Sequence, residues 1–176
     1  MSNRMYVSLG IAVLAIGLMA GLIIRGQEQQ KPDASMTQQQ MDEMNKHGDQ
    51  AMGFDHLKTT HHFLLASDGG SIQVEANDVK DQQSRDQIRQ HLRHIAMMFG
   101  EGNFQVPMLV HSETPPGAEV MSKLKTEINY KYKETERGAL IRISTTNADA
   151  LKAVHDFLKY QITEHMTGDP LELPRQ

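Results

Sequence analysis

The feature that most constrains this chain is an uncharged run near its N-terminus. Residues Met5 to Ile24 carry no charged side chain, and Arg4 and Arg25 stand at the two ends. At a rise of about 1.5 Å per residue, a helix of that length spans a hydrocarbon core of about 30 Å. We therefore predict a transmembrane anchor over residues 1–25 rather than a cleaved signal peptide, whose apolar region is usually about 7–15 residues long. A short tail before a single anchor favours one pass through the inner (cytoplasmic) membrane, with the soluble domain on the periplasmic side.

Composition limits what the rest of the chain can be. The 176 residues are 39% apolar and 23% charged, which is enough for one folded domain beside the anchor. A net charge of −4 argues against a nucleic-acid binder that neutralises phosphates. The absence of cysteine excludes disulfides and thiol catalysis, whereas twelve Met and nine His are available as ligands. Gly17 and Gly21 have the spacing that can pack two membrane helices together, which would give a homo-oligomer. The alternative, that glycine is simply common in membrane helices, stays equally open.

Residues 26–53 are predicted to be a polar, Met- and Gln-rich linker with a short helix over 36–51. Met41, Met44 and His47 recur every third residue, so one helix face would present two thioethers and an imidazole. Soft donors of this kind select copper(I). A helix that docks its Met face on the domain is the alternative interpretation.

Residues 54–169 are predicted to form a two-layer α+β domain, followed by an irregular tail over 170–176. Alternating apolar residues and turn residues predict two hairpins, and helical spacing predicts a helix after each. The duplicated β-β-α units would form a four-stranded antiparallel sheet with helices on one face, behind the N-terminal transmembrane helix. The predicted strands are 57–66, 71–76, 128–134 and 139–144; the predicted helices are 81–99, 118–125 and 147–166; and 105–111 is predicted to be extended.

The candidate metal ligands come from the first strand and the two long helices. His61 shares a strand face with Phe63, so it is predicted to point under the helices. His91 and His94 lie on one flank of the first long helix, together with Met98. Neutral imidazole suits copper, zinc, iron or nickel, and thioether selects copper(I).

Three further histidines lie near apolar segments. His155 and His165 fall on the inner stripe of the last helix, and His111 follows an apolar stretch. A histidine on a buried stripe needs partners for its ring nitrogens, and for each of these an ordinary core role stays open. The predicted ligand set is His61, His91, His94 and His155, with Met98 and His111 in reserve.

Several short motifs carry a resemblance. They are Thr59-Thr60-His61-His62-Phe63, Asp68-Gly69-Gly70, His91-Leu92-Arg93-His94 and His165-Met166-Thr167-Gly168-Asp169. Together they resemble a family of small exported or membrane-tethered bacterial proteins, over residues 52–169. That family has no established activity. The resemblance therefore implies an exported single-domain protein and transfers no functional residue.

Two functions from different classes follow from these patterns. The first is a membrane-anchored extracytoplasmic domain that binds a transition metal for holding or delivery, with copper preferred over zinc or heme. The second is an accessory subunit without a cofactor, which docks on a larger membrane protein complex. An enzyme ranks third, because no phosphate loop, His-Glu-x-x-His or Gly-x-Ser-x-Gly motif is present. An apolar outer sheet face would favour docking, and converged histidines with an open side would favour a metal.

Overall fold

A computed structural model describes residues 42–43, 46, 48 and 52–173, all of which belong to one compact unit, Ser35–Gln176. Within these residues, no helix is both long and apolar enough to cross a bilayer. The predicted anchor over residues 1–25 and the linker donors Met41, Met44 and His47 lie outside the described residues. The strands are β1 Thr59–Ala66, β2 Gly69–Ala76, β3 Ile128–Glu134 and β4 Gly138–Thr145, and the helices are α1 Gln82–Gly100, α2 Gln105–His111, α3 Ala118–Lys123 and α4 Ala148–Glu164.

The four strands form one antiparallel sheet in the order β1-β2-β4-β3. Each hairpin contributes one edge strand and one central strand, and the central pair aligns Ile72 with Ile141. Both long helices pack on the same face of this sheet. The predicted four-stranded antiparallel sheet with helices on one face is therefore confirmed as an α+β domain.

Side-chain alternation separates the two faces of the sheet. The inward residues of the central strands include Val74, Ile141 and Ile143, each of them almost completely buried. The outward residues are mainly polar and form ion pairs, such as Arg137 with Glu75 at 2.6 Å. The helices thus cover an apolar face and leave a polar one to solvent.

Each central strand begins at a glycine that its neighbour requires. A Cβ on Gly69 would overlap the carbonyl oxygen of Ile143, and a Cβ on Gly138 would overlap that of Val74. The two strands also share the same pattern of buried and half-buried residues from end to end. Because these glycines pair in the sheet, β2 and β4 begin earlier than the predicted positions 71 and 139.

Both long helices start at a side-chain cap and bury one apolar stripe. Asp81 accepts a hydrogen bond from the Ser84 amide at 3.0 Å, and Asn147 accepts from the Ala150 amide at 3.0 Å. α1 packs mainly on β3 and β4, whereas α4 packs mainly on β1 and β2. Each helix therefore lies chiefly over the hairpin of the other unit, and a space between the helices opens above β1 and β2.

The prediction of an extended stretch at 105–111 is wrong, because these residues form α2. Its buried side chains are Pro107 and Val110, three residues apart, which is a helical rather than a strand period. Pro107 lies in the first turn, where its missing amide costs no hydrogen bond. The Asn103 side chain also accepts from the Gln105 amide at 3.0 Å, which helps start the helix. α2 covers the space between α1 and α4.

Candidate functional site

A cavity of about 70 Å³ lies between β1, β2, α1 and α4, beneath α2. Its floor is apolar and comes from Phe63, Ile72 and Val74 on the sheet. Ile95, Phe99 and Phe157 from the two long helices continue the apolar wall. Against this wall stand four histidines, His61, His91, His111 and His165, together with Met52 and Gln161. The site is therefore an apolar chamber whose polar atoms are almost all imidazole nitrogens.

His61 and His165 form the central pair of this chamber. Their rings are parallel to within 6°, and their centroids lie 6.0 Å apart. Phe63 stands beside both, with its ring centroid 6.4 Å from that of His61 and 5.6 Å from that of His165. His61 reaches this position because alternation along β1 points residues 61, 63 and 65 under the helices. The pair is held in place by ring packing rather than by hydrogen bonds.

His91 and His111 are the other two histidines of the chamber, and they come from two different helices. His91 comes from α1 and packs against the edge of Phe54, with ring centroids 5.6 Å apart. His111 ends α2 and meets His165 edge-on, with ring centroids 5.0 Å apart. Four imidazoles therefore reach one chamber from β1, from α1, from the end of α2 and from the residue after α4.

Burial keeps these imidazoles neutral at physiological pH. It is the main reason that the pKa of His61 falls to about 4, with the charges of His56 and His62 adding to the effect. Burial lowers the pKa of His91 to about 4 and that of His165 to about 3, and His61 adds to both shifts. Burial also lowers the pKa of His111, against the opposing effects of Gln161 and Glu113. Each ring therefore retains a lone pair that a ligand can use.

These ring nitrogens lack the hydrogen bonds that buried polar groups normally make. Within the described part of the chain, no ring nitrogen of His61, His91 or His165 has a hydrogen-bond partner. Nδ1 of His111 is buried and also unpaired. Of the chamber histidine nitrogens, only Nδ1 of His111 is fully buried as well as unpaired among the described residues, so it carries the cost of about 1–3 kcal/mol of an unsatisfied buried polar group. The unpaired nitrogens of His61, His91 and His165 keep some solvent access, which leaves them open to a ligand.

A surface groove of about 300 Å³ adjoins the chamber and shares Met52, His61 and His165 with it. The groove is also lined by His56 and by Met166, whose side chain is 62% exposed. Met166 adopts a left-handed backbone conformation with φ of 47°, which is uncommon for a residue other than glycine. The chamber thus has an open side where two thioethers and three imidazoles gather.

The segment after α4 is fastened to the edge of the sheet. Asp169 accepts a hydrogen bond from the Phe63 amide at 2.9 Å and pairs with Nδ1 of His62, also at 2.9 Å. Thr167 donates to the same carboxylate at 2.7 Å. Burial opposes ionisation of Asp169, but these three partners outweigh it and lower the pKa of the carboxyl group. This carboxylate clasp holds residues 165–169 against β1, beside the groove.

Three predicted ligands do not reach the chamber. His94 is exposed on α1, and Met98 is buried but does not line the cavity. Nε2–H of His155 donates to the carbonyl oxygens of Ala66 and Gly69 at 2.9 and 3.0 Å, so this ring holds the β1–β2 turn together. Of the predicted set, the structure brings together His61, His91 and His111.

His165 and Met52 were not among the predicted ligands. His165 follows the last residue of α4, so its direction depends on how the helix ends rather than on the helical stripe. Two features of the sequence could have identified His165 as a ligand. It falls on the inner stripe of the last helix, and it begins the motif that continues to Asp169. Within the described residues, no three histidine or acidic side chains are arranged to enclose one ion.

Comparison with known proteins adds no family to this picture. No family model, no curated protein and no solved structure matches the chain.

Proposed function

We propose that this domain binds copper(I) between His61 and His165, with Met52 as a third donor, and that it holds or delivers the ion. The observation that carries the proposal is the parallel pair of unpartnered imidazoles where the chamber meets the groove. The donors are two neutral rings and a thioether, the combination that favours copper(I).

The spacing of the pair supports a bridging ion. Metal–imidazole bonds are about 2.0–2.1 Å long, so an ion between two coplanar rings holds their centroids about 6 Å apart. The observed separation is 6.0 Å, with the rings stacked and parallel to within 6°, so one ring turns about its side-chain bonds before both in-plane lone pairs point at one ion. Copper(I) tolerates low coordination numbers, so two imidazoles and a thioether suffice without a third histidine or a carboxylate.

The surroundings support copper(I) over the other candidates. Among the described residues that line the chamber, none provides a carboxylate oxygen, the donor that harder ions prefer. Zinc favours four tetrahedral ligands, and the described residues offer no such set. A chamber of about 70 Å³ is far smaller than the pockets of about 300–1,000 Å³ that hold larger ligands, which disfavours heme.

The open groove supports a role in transfer. Met166 lies outside the pair and is exposed, so an incoming ion meets a thioether before it reaches the buried rings. We infer that the domain works from a tether at residues 1–25, on the periplasmic side of the membrane.

The likeness of the two β-β-α units is consistent with their origin by duplication.

The docking alternative has less support. The outer sheet face carries polar and charged groups, including Arg142 paired with Asp68, rather than an apolar patch. The histidines converge beside an open groove. Both features are the ones that favour the metal proposal over a cofactor-free docking subunit.

The test is a copper(I) titration of the full-length chain in mild detergent, against a competing chelator. We expect the wild type to take up one tightly held ion at this site. His61→Phe and His165→Phe keep a ring in each position but remove the nitrogens, and each should weaken binding by at least about 100-fold, or about 2.7 kcal/mol. Unchanged affinity in the double variant would overturn the proposal.

Matched controls separate this site from the linker. His94→Gln changes an exposed histidine of α1 and should leave the affinity unchanged. Met52→Leu should lower copper(I) affinity about tenfold with little effect on zinc, because thioether sulfur prefers the softer ion. A combined Met41→Leu and Met44→Leu variant reports any separate ion held by the linker, so the stoichiometry at the chamber can be counted alone.

A further inference from the structure

The inner end of the chamber carries a second polar feature, apart from the proposed copper donors. Gln161 of α4 is only 4% exposed, and its side chain lines the cavity. Its Oε1 lies 3.2 Å from Nε2 of His111, whereas its Nε2 is buried without a partner. Nδ1 of His111 is also buried and unpaired. Gln161 and His111 thus bond to each other through one atom each, and each has a second polar atom that is buried without a hydrogen bond.

The unused atoms have complementary chemistry. With Oε1 of Gln161 accepting from Nε2–H of His111, the amide has free N–H donors and Nδ1 of the ring is a free acceptor. If the amide is turned over, its nitrogen donates to Nε2, Nδ1 carries the ring proton, and Oε1 becomes the free acceptor. In either arrangement Nδ1 of His111 points across the ring, away from Gln161. The Gln161 amide therefore faces an occupant by itself, with free N–H donors in the first case and a free acceptor oxygen beside its second N–H in the other.

The rest of the chamber defines the shape of what fits. A single water needs about 10–15 Å³ of such space, and the cavity holds about 70 Å³. Phe99 and Phe157 pack edge to face, with centroids 5.8 Å apart, and form an apolar wall of the same chamber. A suitable occupant therefore combines a short apolar body with one group that both donates and accepts.

We infer that the Gln161 amide, oriented by its hydrogen bond to His111, binds the hydroxyl group of a small neutral molecule, of the class of short-chain alcohols. The apolar part of that molecule lies against the aromatic wall. A hydroxyl group suits either orientation of the amide, because its oxygen accepts from an N–H and its O–H donates to a carbonyl oxygen. This site goes beyond the proposed copper function, because it uses neither His61 nor His165 and needs no metal.

The test follows Gln161 directly in the full-length, metal-free protein. The chain is labelled with ¹⁵N, treated with a chelator, and titrated with 1-propanol while the side-chain amide signals of Gln161 are recorded. We expect these signals to move along a saturable curve in the millimolar range. A linear, non-saturating shift, as for a cavity filled only by exchanging water, would overturn the inference.

A variant and an apolar probe separate the hydrogen bond from the cavity. Gln161→Leu keeps an apolar side chain of similar length and should weaken 1-propanol binding at least tenfold. Xenon needs no hydrogen bond and should bind the cavity in both proteins, as read from the methyl signals of Ile95. Equal 1-propanol affinity in the two proteins would overturn the inference. If the variant does not fold, the wild-type amide titration alone decides, and because no metal is present its outcome is independent of the copper titration.

Discussion

At the scale of single residues, this domain is unusual for where it keeps its histidines. His61, His91 and His165 lie against apolar and aromatic side chains, and no described residue offers their nitrogens a hydrogen bond. The low dielectric of the chamber favours the neutral rings, which is the protonation state that a soft metal ion requires. His155 shows the contrast, because its Nε2–H is used by two carbonyl oxygens of a turn.

The free energy of unfolding should fall as the pH is lowered from 6.5 toward 4. In this range the imidazoles of the unfolded chain bind protons, whereas the buried imidazoles of the folded chain do not. The ordinary pKa of 6.5 applies on unfolding, whereas the folded pKa values are about 4 for His61 and about 3 for His165. Between those limits the unfolded state binds more protons, so the free energy of unfolding decreases by up to about 1.4 kcal/mol per pH unit for each histidine. Denaturant unfolding of the metal-free protein at a series of pH values measures this slope.

The matched variants for that series are His165→Phe and the exposed His94→Gln. Removing His165 should flatten the dependence below pH 6.5, and changing His94 should leave it as it is. A slope that is the same in all three proteins would mean that the chamber histidines do not stay neutral on folding.

At the scale of elements, the segment after α4 determines where His165 lies. α4 ends at Glu164, and the chain is then fastened to β1 through the carboxylate of Asp169. That carboxylate also covers an amide on the free edge of the sheet, where an unpaired N–H would otherwise invite pairing with another chain. The Asp169 carboxylate therefore links the end of α4 and the edge strand β1 to the His61–His165 pair.

Asp169→Ala should loosen that unit. The variant loses the acceptor for the Phe63 amide and the partner of His62, and we expect a loss of about 1–3 kcal/mol in the free energy of unfolding. Hydrogen exchange at the Phe63 amide should accelerate strongly relative to the rest of β1. Asp169→Asn is the control, because it keeps one oxygen as an acceptor and should retain most of the protection. Equal exchange at Phe63 in wild type and Asp169→Ala would contradict the clasp.

The same clasp gives a pH dependence in a lower range. The folded pKa of Asp169 is below its ordinary value of 3.8, so the ionised carboxylate stabilises the fold at higher pH. This contribution is fully present above the unfolded pKa and is lost as the pH falls through the folded pKa. It therefore begins near pH 3.8, at the lower end of the range in which the histidines act, and continues below it.

At the scale of the whole molecule, the central β2–β4 pair holds the two β-β-α units together. Gly69 and Gly138 allow each central strand to approach the backbone of the other. The helices then lie across both units, with α1 mainly over β3 and β4 and α4 mainly over β1 and β2. The chamber forms only because β2 and β4 pair closely and the two long helices pack across both units.

Gly138→Ala should destabilise the whole domain. A Cβ at this position overlaps the Val74 carbonyl oxygen, and relief requires a backbone shift in the centre of the sheet. We expect a loss of about 2 kcal/mol or more, comparable with other overpacked core positions. Gly100→Ala is the matched control, because nothing lies within 4 Å of its Cβ position at the end of α1, and it should be neutral or stabilising by up to about 1 kcal/mol. Thermal unfolding compares the two, and equal effects would contradict this account of the strand approach.

The local pattern of residues determined much of this protein. Alternation along 57–66 and 128–134, turn residues at Ser67 and Asp68, and helical spacing from Ile88 to Phe99 predicted the hairpins and the long helices. These features depend on neighbours a few positions apart, so they can be read along the chain. The same alternation predicted that His61 faces the helices, which the structure confirms.

Tertiary structure decided what local pattern does not contain. Three features depend on contacts between segments that are distant in the chain. They are the strand order β1-β2-β4-β3, the helix at 105–111, and the turn after Glu164. For the same reason, the sequence predicted His94, Met98 and His155 as ligands, whereas the chamber brings His165 and Met52 to His61. Residues far apart in sequence share a site only when packing places their elements together. The periodicity along one helix shows which residues share a face, but it carries no information about the distance from that face to a residue on another element.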